Sequence, residues 1–173
     1  TSAKHVDLQL GNKIDYILDG GICTVGIEST IVSFMDEEQP TVLRLGGLDI
    51  NDIEESIGTV RMAINAHSNP KAPGQLDKHY ATSRKMSLHI SYEGLNEIDL
   101  SKSALIGLKI PDSLEIGLSL ELSNVGNLNM AAHNLFAHLR EADLADVEEI
   151  HVVMVPEKGL GPAINDRLRR AAH

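Results

Sequence analysis

Cysteine is nearly absent: Cys23 is the only one in 173 residues. A lone thiol excludes an intramolecular disulfide and an all-cysteine zinc site, and it fits a reduced, cytoplasmic setting. Nothing around Cys23 singles it out as a nucleophile, so its expected place is in the interior, as a small apolar residue. Positive charge is also scarce. Lys and Arg number 15 against 25 Asp and Glu, for a formal net charge of −10. A chain this acidic lacks the electrostatic footprint of a nucleic-acid binder. Its one basic concentration, Arg167, Arg169 and Arg170, falls where cations complement the end of a helix dipole. No apolar run nears the roughly 18 residues of a membrane span, and no charged-apolar-small succession opens the chain as a signal peptide would. The chain begins Thr1-Ser2-Ala3 without methionine, which reads as a piece of something longer. A helical metal pair is missing too, because His133 and His138 stand five apart rather than three or four. Gly159-Leu160-Gly161 lacks both the Walker lysine and the full dinucleotide fingerprint, and reads as a strand-to-helix turn. There is no internal repeat and no low-complexity tract.

What is present suffices for a core. Hydrophobic residues make up 42% of a length that suits one ordinary domain or two small ones. Residues 1–59 read as alternating strands and short helices. An apolar run over 13–18 stops at the turn Asp19-Gly20-Gly21. The β-branched stretch 24–34 predicts a strand bent at Gly26, and 41–45 predicts another, stopped by Gly46-Gly47. Asp49 or Asn51 caps a helix reaching Ile57, with Ile50, Ile53 and Ile57 on one face. Residues 60–85 have little periodicity and read as a long linker, which in a compact domain marks a boundary or a function. Beyond it, strands are predicted over 86–92, 104–110, 114–122 and 149–155. Helices are predicted over 127–141 and from Pro162 onward. Strands alternating with helices predict an α/β layer with a mainly parallel sheet, Rossmann-like in topology, and this says nothing of a cofactor.

Three places carry polar side chains that need explaining. Glu28, Ser29 and Thr30 are consecutive within a β-branched stretch, so at least one points inward and requires a partner. A bound polar ligand is one such partner; a solvated edge strand is the other reading. Arg44 precedes Gly46-Gly47, placed either to grip a phosphate bidentately or to join a surface ion pair. Pro73-Gly74 and His79-Tyr80 lie in the linker, to close over a ligand or, for Tyr80, to anchor the linker on a domain surface.

The order of these features is more informative than any one of them. Thr1-Ser2-Ala3-Lys4-His5-Val6, Asp19-Gly20-Gly21, Gly26-x-Glu28-Ser29-Thr30-Ile31-Val32, Leu43-Arg44-x-Gly46 and Pro73-Gly74 with His79-Tyr80-Ala81 follow one another. So arranged, they resemble the YrdC-like threonylcarbamoyl-AMP synthases. Asn134-Leu135-Phe136, Leu139-Arg140, Asp143 and the stretch from Gly159 to Leu168 resemble the extra domain of the long, two-domain members. The resemblance implies a catalytic tail over 1–59, a linker or lid over 60–85 with Pro73, Gly74 and His79, and a Rossmann-like C-terminal domain over 86–173. It implies L-threonine, bicarbonate and ATP as substrates, with magnesium. Ser29 and Thr30 would hold threonine, and Arg44 and Tyr80 the nucleotide. It also implies a role in tRNA modification, with tRNA or tRNA-modification proteins as partners. A homodimer is a further expectation, because missing upstream strands would leave sheet edges bare. Leu45, Ala72, Gln75, Ser33 and Thr82 depart from the family pattern. The family's Lys-x-Arg and Ser-Ala-Asn motifs are absent from this chain and are expected upstream of Thr1. The isolated chain is therefore expected to be inactive. Two other readings compete: a carbamoyl-transfer module of hydrogenase maturation, which should carry zinc-finger cysteines, and a non-catalytic module binding tRNA or a regulatory nucleotide.

Overall fold

The computed structural model describes residues 1–35, 38–64 and 80–172. Pro73, Gly74 and His79 lie outside the described residues. The chain opens on helix α1 (Ala3–Leu10), started by the Ser2 side chain. Strands β1 (Ile31–Ser33), β2 (Thr41–Arg44) and β3 (Arg61–Met62) form a small sheet in the order β1-β2-β3. β1 and β2 run antiparallel, while β3 joins β2 in parallel after helix α2 (Ile50–Ile57). Asp49 begins α2 by accepting from the Asn51 amide at 3.0 Å, and Gly58, at φ +81°, ends it. Ile53 is buried against Val42, Leu45 and Val60, whereas Ile57 is exposed. β3 lies within the stretch read from sequence as linker.

The strand expected over 24–34 shrinks to three residues near its end, Ile31–Ser33. Gly26 sits at φ +82°, outside the extended region, and the Glu28 carbonyl accepts from the Gly47 amide instead of joining a ladder. Two glycines supply the conformation and the close approach that this loop requires, and they outweigh its β-branched composition.

The second sheet is wholly parallel. β4 (Met86–His89), β5 (Leu100–Gly107), β6 (Ile116–Glu121) and β7 (Glu149–Val153) lie in the order β4-β7-β5-β6. Helices α3 (Leu128–Leu144) and α4 (Gly161–Ala171) cover one face. Their buried stripe includes Ala131, Leu135, Leu139, Ile164 and Leu168, packed on Ala104, Ile106, Ile150 and Val152. Leu135 alone, wholly buried, contributes about 2 kcal/mol of apolar transfer. The opposite face is closed by Leu95, Leu100, Leu105, Ile110 and Val153, with a 3-10 turn at Leu95–Glu97. A doubly wound layer would carry helices on both faces. Here the β4–β5 and β5–β6 connections are too short for more than a single turn. Among the described residues, no helix is long and apolar enough to cross a membrane.

Arg84 ties the chain re-entering at residue 80 to the end of α3. Its guanidinium donates to the carbonyls of Asp143, Ala145 and Val147, while the Asp143 carboxylate accepts from the Ser83 and Arg84 amides. The orphan carbonyls of a helix C-terminus thus receive a cation, as the dipole favours.

Candidate functional site

The first segment meets the second at Glu28. Arg167, from the middle of α4, is 1% exposed and grips one Glu28 oxygen through Nε at 3.2 Å and Nη2 at 2.9 Å. The other oxygen accepts from the Tyr80 hydroxyl. Burial works to raise the Glu28 carboxyl, but the Tyr80 hydroxyl and the Arg167 guanidinium outweigh it and hold the group below its ordinary value. Tyr80 shows the converse: burial, then the adjoining carboxylate, push its phenol well above the usual range. Tyr80 is also the sole non-glycine residue at positive φ among those described, at +65°. A bulky residue pays a steric cost there, and the Glu28 bond together with the Phe136 ring, 5.0 Å away between centroids, holds it in place.

Ser29 and Arg44 are joined directly. Arg44 Nε donates to the Ser29 carbonyl at 3.0 Å, and its Nη2 lies 3.2 Å from Ser29 Oγ. Gly46 makes this possible, since a Cβ there would collide with the Ser29 and Glu28 backbone. Tyr80 reaches the same loop through its bond to Glu28, the residue before Ser29. Thr30 is engaged elsewhere. Its hydroxyl donates to the Leu48 carbonyl at 2.9 Å and accepts from the Leu48 amide at 3.2 Å, locking the turn after Gly46-Gly47. Of the sequence-predicted site residues, Ser29 and Arg44 are therefore in direct contact, Tyr80 bonds the adjoining Glu28, and Thr30 supports their turn.

Two expectations fail. Cys23 is exposed rather than buried. It belongs to a surface stretch in which Tyr16, Leu18 and Ile22 are also exposed, so its apolar character finds no core there. Arg169 and Arg170 do stand in the last turn of α4, where cations complement the dipole, but Arg167 lies a turn earlier, and Arg167 and Arg170 form no surface patch. Both are buried, Arg167 on Glu28 and Asp166 and Arg170 on Asp166, whereas Arg169 pairs with Glu157 at 2.7 Å. The sequence signal for Glu28 was present in the run of three polar residues; its partner, 139 positions away, gave none. His89 and His151 approach to 3.0 Å across β4 and β7, but no group of three metal-ligating side chains occurs among the described residues.

Fold and site together define a parallel α/β layer joined to a small three-stranded sheet through the Arg167–Glu28 ion pair, with an arginine–serine pair and a tyrosine beside it. Residues 48–173 match the family profile described as threonylcarbamoyl-AMP synthase, C-terminal domain, and residues 1–46 match one described as telomere recombination. The threonylcarbamoyl-AMP synthase of Pyrococcus abyssi is 35% identical over 185 aligned residues, covering 99% of this chain and 53% of that protein. The Schizosaccharomyces pombe threonylcarbamoyl-AMP synthase is 31% identical, covering 99% of this chain and 48% of its own length. The crystal structure of P. abyssi Sua5 complexed with L-threonine superimposes with a TM-score of 0.87 at 32% identity, covering 99% of this chain and 53% of that one. The chain belongs to the threonylcarbamoyl-AMP synthase family, and it spans about half the length of the curated relatives it matches.

Proposed function

We propose that this chain is the C-terminal portion of an enzyme that makes L-threonylcarbamoyladenylate from L-threonine, bicarbonate and ATP, for threonylcarbamoyladenosine in tRNA. The observation that carries this reading is the junction itself: Arg44 bonded to Ser29, and Tyr80 bonded to the adjoining Glu28. In the proposed reaction the threonine amine adds to the bicarbonate carbon and water leaves, giving a carbamate. A carbamate oxygen then attacks the α-phosphorus of ATP, the α–β phosphoanhydride breaks, and pyrophosphate departs. Such chemistry depends on positioning and on neutralising developing charge. Ser29 is proposed to hold threonine, and Arg44 and Tyr80 the nucleotide, with Thr30 shaping the turn. Pro73, Gly74 and His79 are proposed to belong to a lid that closes over the ligand. The described side chains include no cluster suited to a protein-held ion, so magnesium is proposed only as a companion of the ATP phosphates. The domain division at 59 and 85, the cytoplasmic setting, and tRNA or a second copy as partners belong to the same reading.

Two measurements test it. Isothermal titration of ATP into the chain is expected to show binding that Arg44→Ala weakens by about tenfold, the loss of one charge-assisted contact. Unchanged affinity in the variant would remove Arg44 from the nucleotide site. Pyrophosphate release dependent on threonine and bicarbonate is expected to be absent from this chain alone, and robust turnover would refute its reading as one part of the active site.

A further inference from the structure

Among the described residues from Tyr80 onward, the buried and half-buried arginines are compensated with one exception. Arg84 has three carbonyls, Arg167 has Glu28 and Asp166, and Arg170 has Asp166. Arg140, on α3, has only the Phe136 carbonyl one turn back, at 3.1 Å. Its Nε is buried without a hydrogen-bond partner, and burial alone acts on its guanidinium, with no described carboxylate contributing. In a chain of net charge −10, a cation left without an anion in the wall of a cavity is unusual. Removing a charge from water is costly unless something pairs with it.

Arg140 stands where two cavities adjoin. One of about 350 Å³ reaches toward Gly26 and Glu28, and one of about 410 Å³ toward Gln9 and Asp143. Both share Tyr80, Phe136 and Arg140. The acidic groups on their walls are already engaged. Glu28 is held by Arg167 and Tyr80, and Asp143 Oδ1 accepts from Ser83 and from the Arg84 amide. The uncompensated charge facing this space is therefore positive, and the tilted Tyr80–Phe136 ring pair gives it an apolar wall.

We infer that Arg140 binds a phosphate-bearing anion in this space, so that the C-terminal segment contributes a side chain of its own to ligand recognition. The polyphosphate of ATP is the ligand expected, and that identity rests on the function proposed above. A guanidinium suits the role because it presents a rigid fork of donors to phosphate oxygens.

The test is titration of ATP, inorganic pyrophosphate and L-threonine into the chain and into Arg140→Gln, Arg140→Lys and Arg44→Ala, with thermal unfolding of each without ligand. Arg140→Gln is expected to weaken ATP and pyrophosphate at least about tenfold, to leave threonine unaffected, and to leave the unliganded Tm unchanged or raised. A residue that merely packs would leave phosphate affinity unchanged and lower the unliganded Tm, whereas a binding residue is kept at some expense of stability. Arg140→Lys, which keeps the charge, is expected to recover part of the affinity. Phosphate affinity unchanged in Arg140→Gln but weakened in Arg44→Ala overturns the inference and leaves the proposed function standing. Affinity lost in Arg140→Gln but unchanged in Arg44→Ala sustains the inference and moves the nucleotide away from Arg44. No phosphate binding by the unsubstituted chain, or a lowered Tm with binding lost in both Arg140 variants, also overturns it.

Discussion

Replacing Arg167 by methionine is expected to destabilise the chain by about 3 kcal/mol at pH 7, the low end of the loss when a buried ion pair is deprived of one partner. The low end applies because the Glu28 side chain keeps 33% exposure while that of Arg167 keeps 1%. Methionine fills much of the space of the arginine stem, so the deficit is electrostatic rather than a cavity. Its pH dependence identifies the cause. In the unsubstituted chain Glu28 has a folded-state pKa below its unfolded value. Its contribution is thus fully present above the ordinary carboxylate range and is lost as pH falls through the lowered value. In Arg167→Met the attraction is gone and burial remains, so the carboxyl titrates at higher pH and its charge ceases to be a burden on acidification. The stability difference between the two proteins, from urea unfolding at several pH values, is expected to be largest near pH 7 and to narrow toward pH 4. A difference independent of pH would assign the loss to packing. Because Glu28 also holds Tyr80, the variant is expected to weaken ATP binding as well, if Tyr80 serves the nucleotide as proposed.

The parallel sheet was legible because its causes are local. The alternating run before Glu121 and the apolar core of β7 announce strands wherever they sit in space, and Asn127 announces α3 by capping it, its side chain accepting from the Asn129 and Met130 amides. The family motifs mark Ser29, Arg44 and Tyr80 in order, and in the fold Arg44 bonds Ser29 while Tyr80 bonds the adjoining Glu28. What could not be read was every relation with long sequence separation. Glu28 announced that it needed a partner, but nothing near it said that the partner would be Arg167 rather than a ligand. Arg167 itself looked like a helix-end cation, because charge in a last turn has a sufficient local explanation and burial is not a local property. The misplaced strand over 24–34 has the same origin. Its β-branched residues favour extension, but the choice belonged to Gly26, whose environment is the backbone of α3, more than 100 residues on.

That contact yields the second large effect. Gly26 is buried at φ +82°, and a Cβ there would strike the Ala132 carbonyl and the His133 backbone. Gly26→Ala therefore incurs about 1 kcal/mol for a side chain in the left-handed region and a further 1–3 kcal/mol, roughly, for overpacking against a helix that cannot retreat. A total of about 3 kcal/mol is expected. Gly21 separates the two contributions. It has nearly the same φ, +87°, but nothing within 4 Å of its would-be Cβ, so Gly21→Ala is expected to lose only about 1 kcal/mol. Chemical denaturation of both variants measures the gap, and equal losses would show that α3 does not constrain position 26. The displacement also has a direction. His133 accompanies the contact, with Nδ1 3.1 Å from the Thr24 carbonyl, and Glu28 follows Gly26 by two residues. Pushing this loop off α3 draws the Glu28 carboxylate away from Arg167 and Tyr80 together. Gly26→Ala should therefore show the same narrowing of its stability deficit at low pH that is expected of Arg167→Met, whereas Gly21→Ala should not. The double variant Gly26→Ala/Arg167→Met should then lose less than the sum of the two single losses, because both remove the same ion pair.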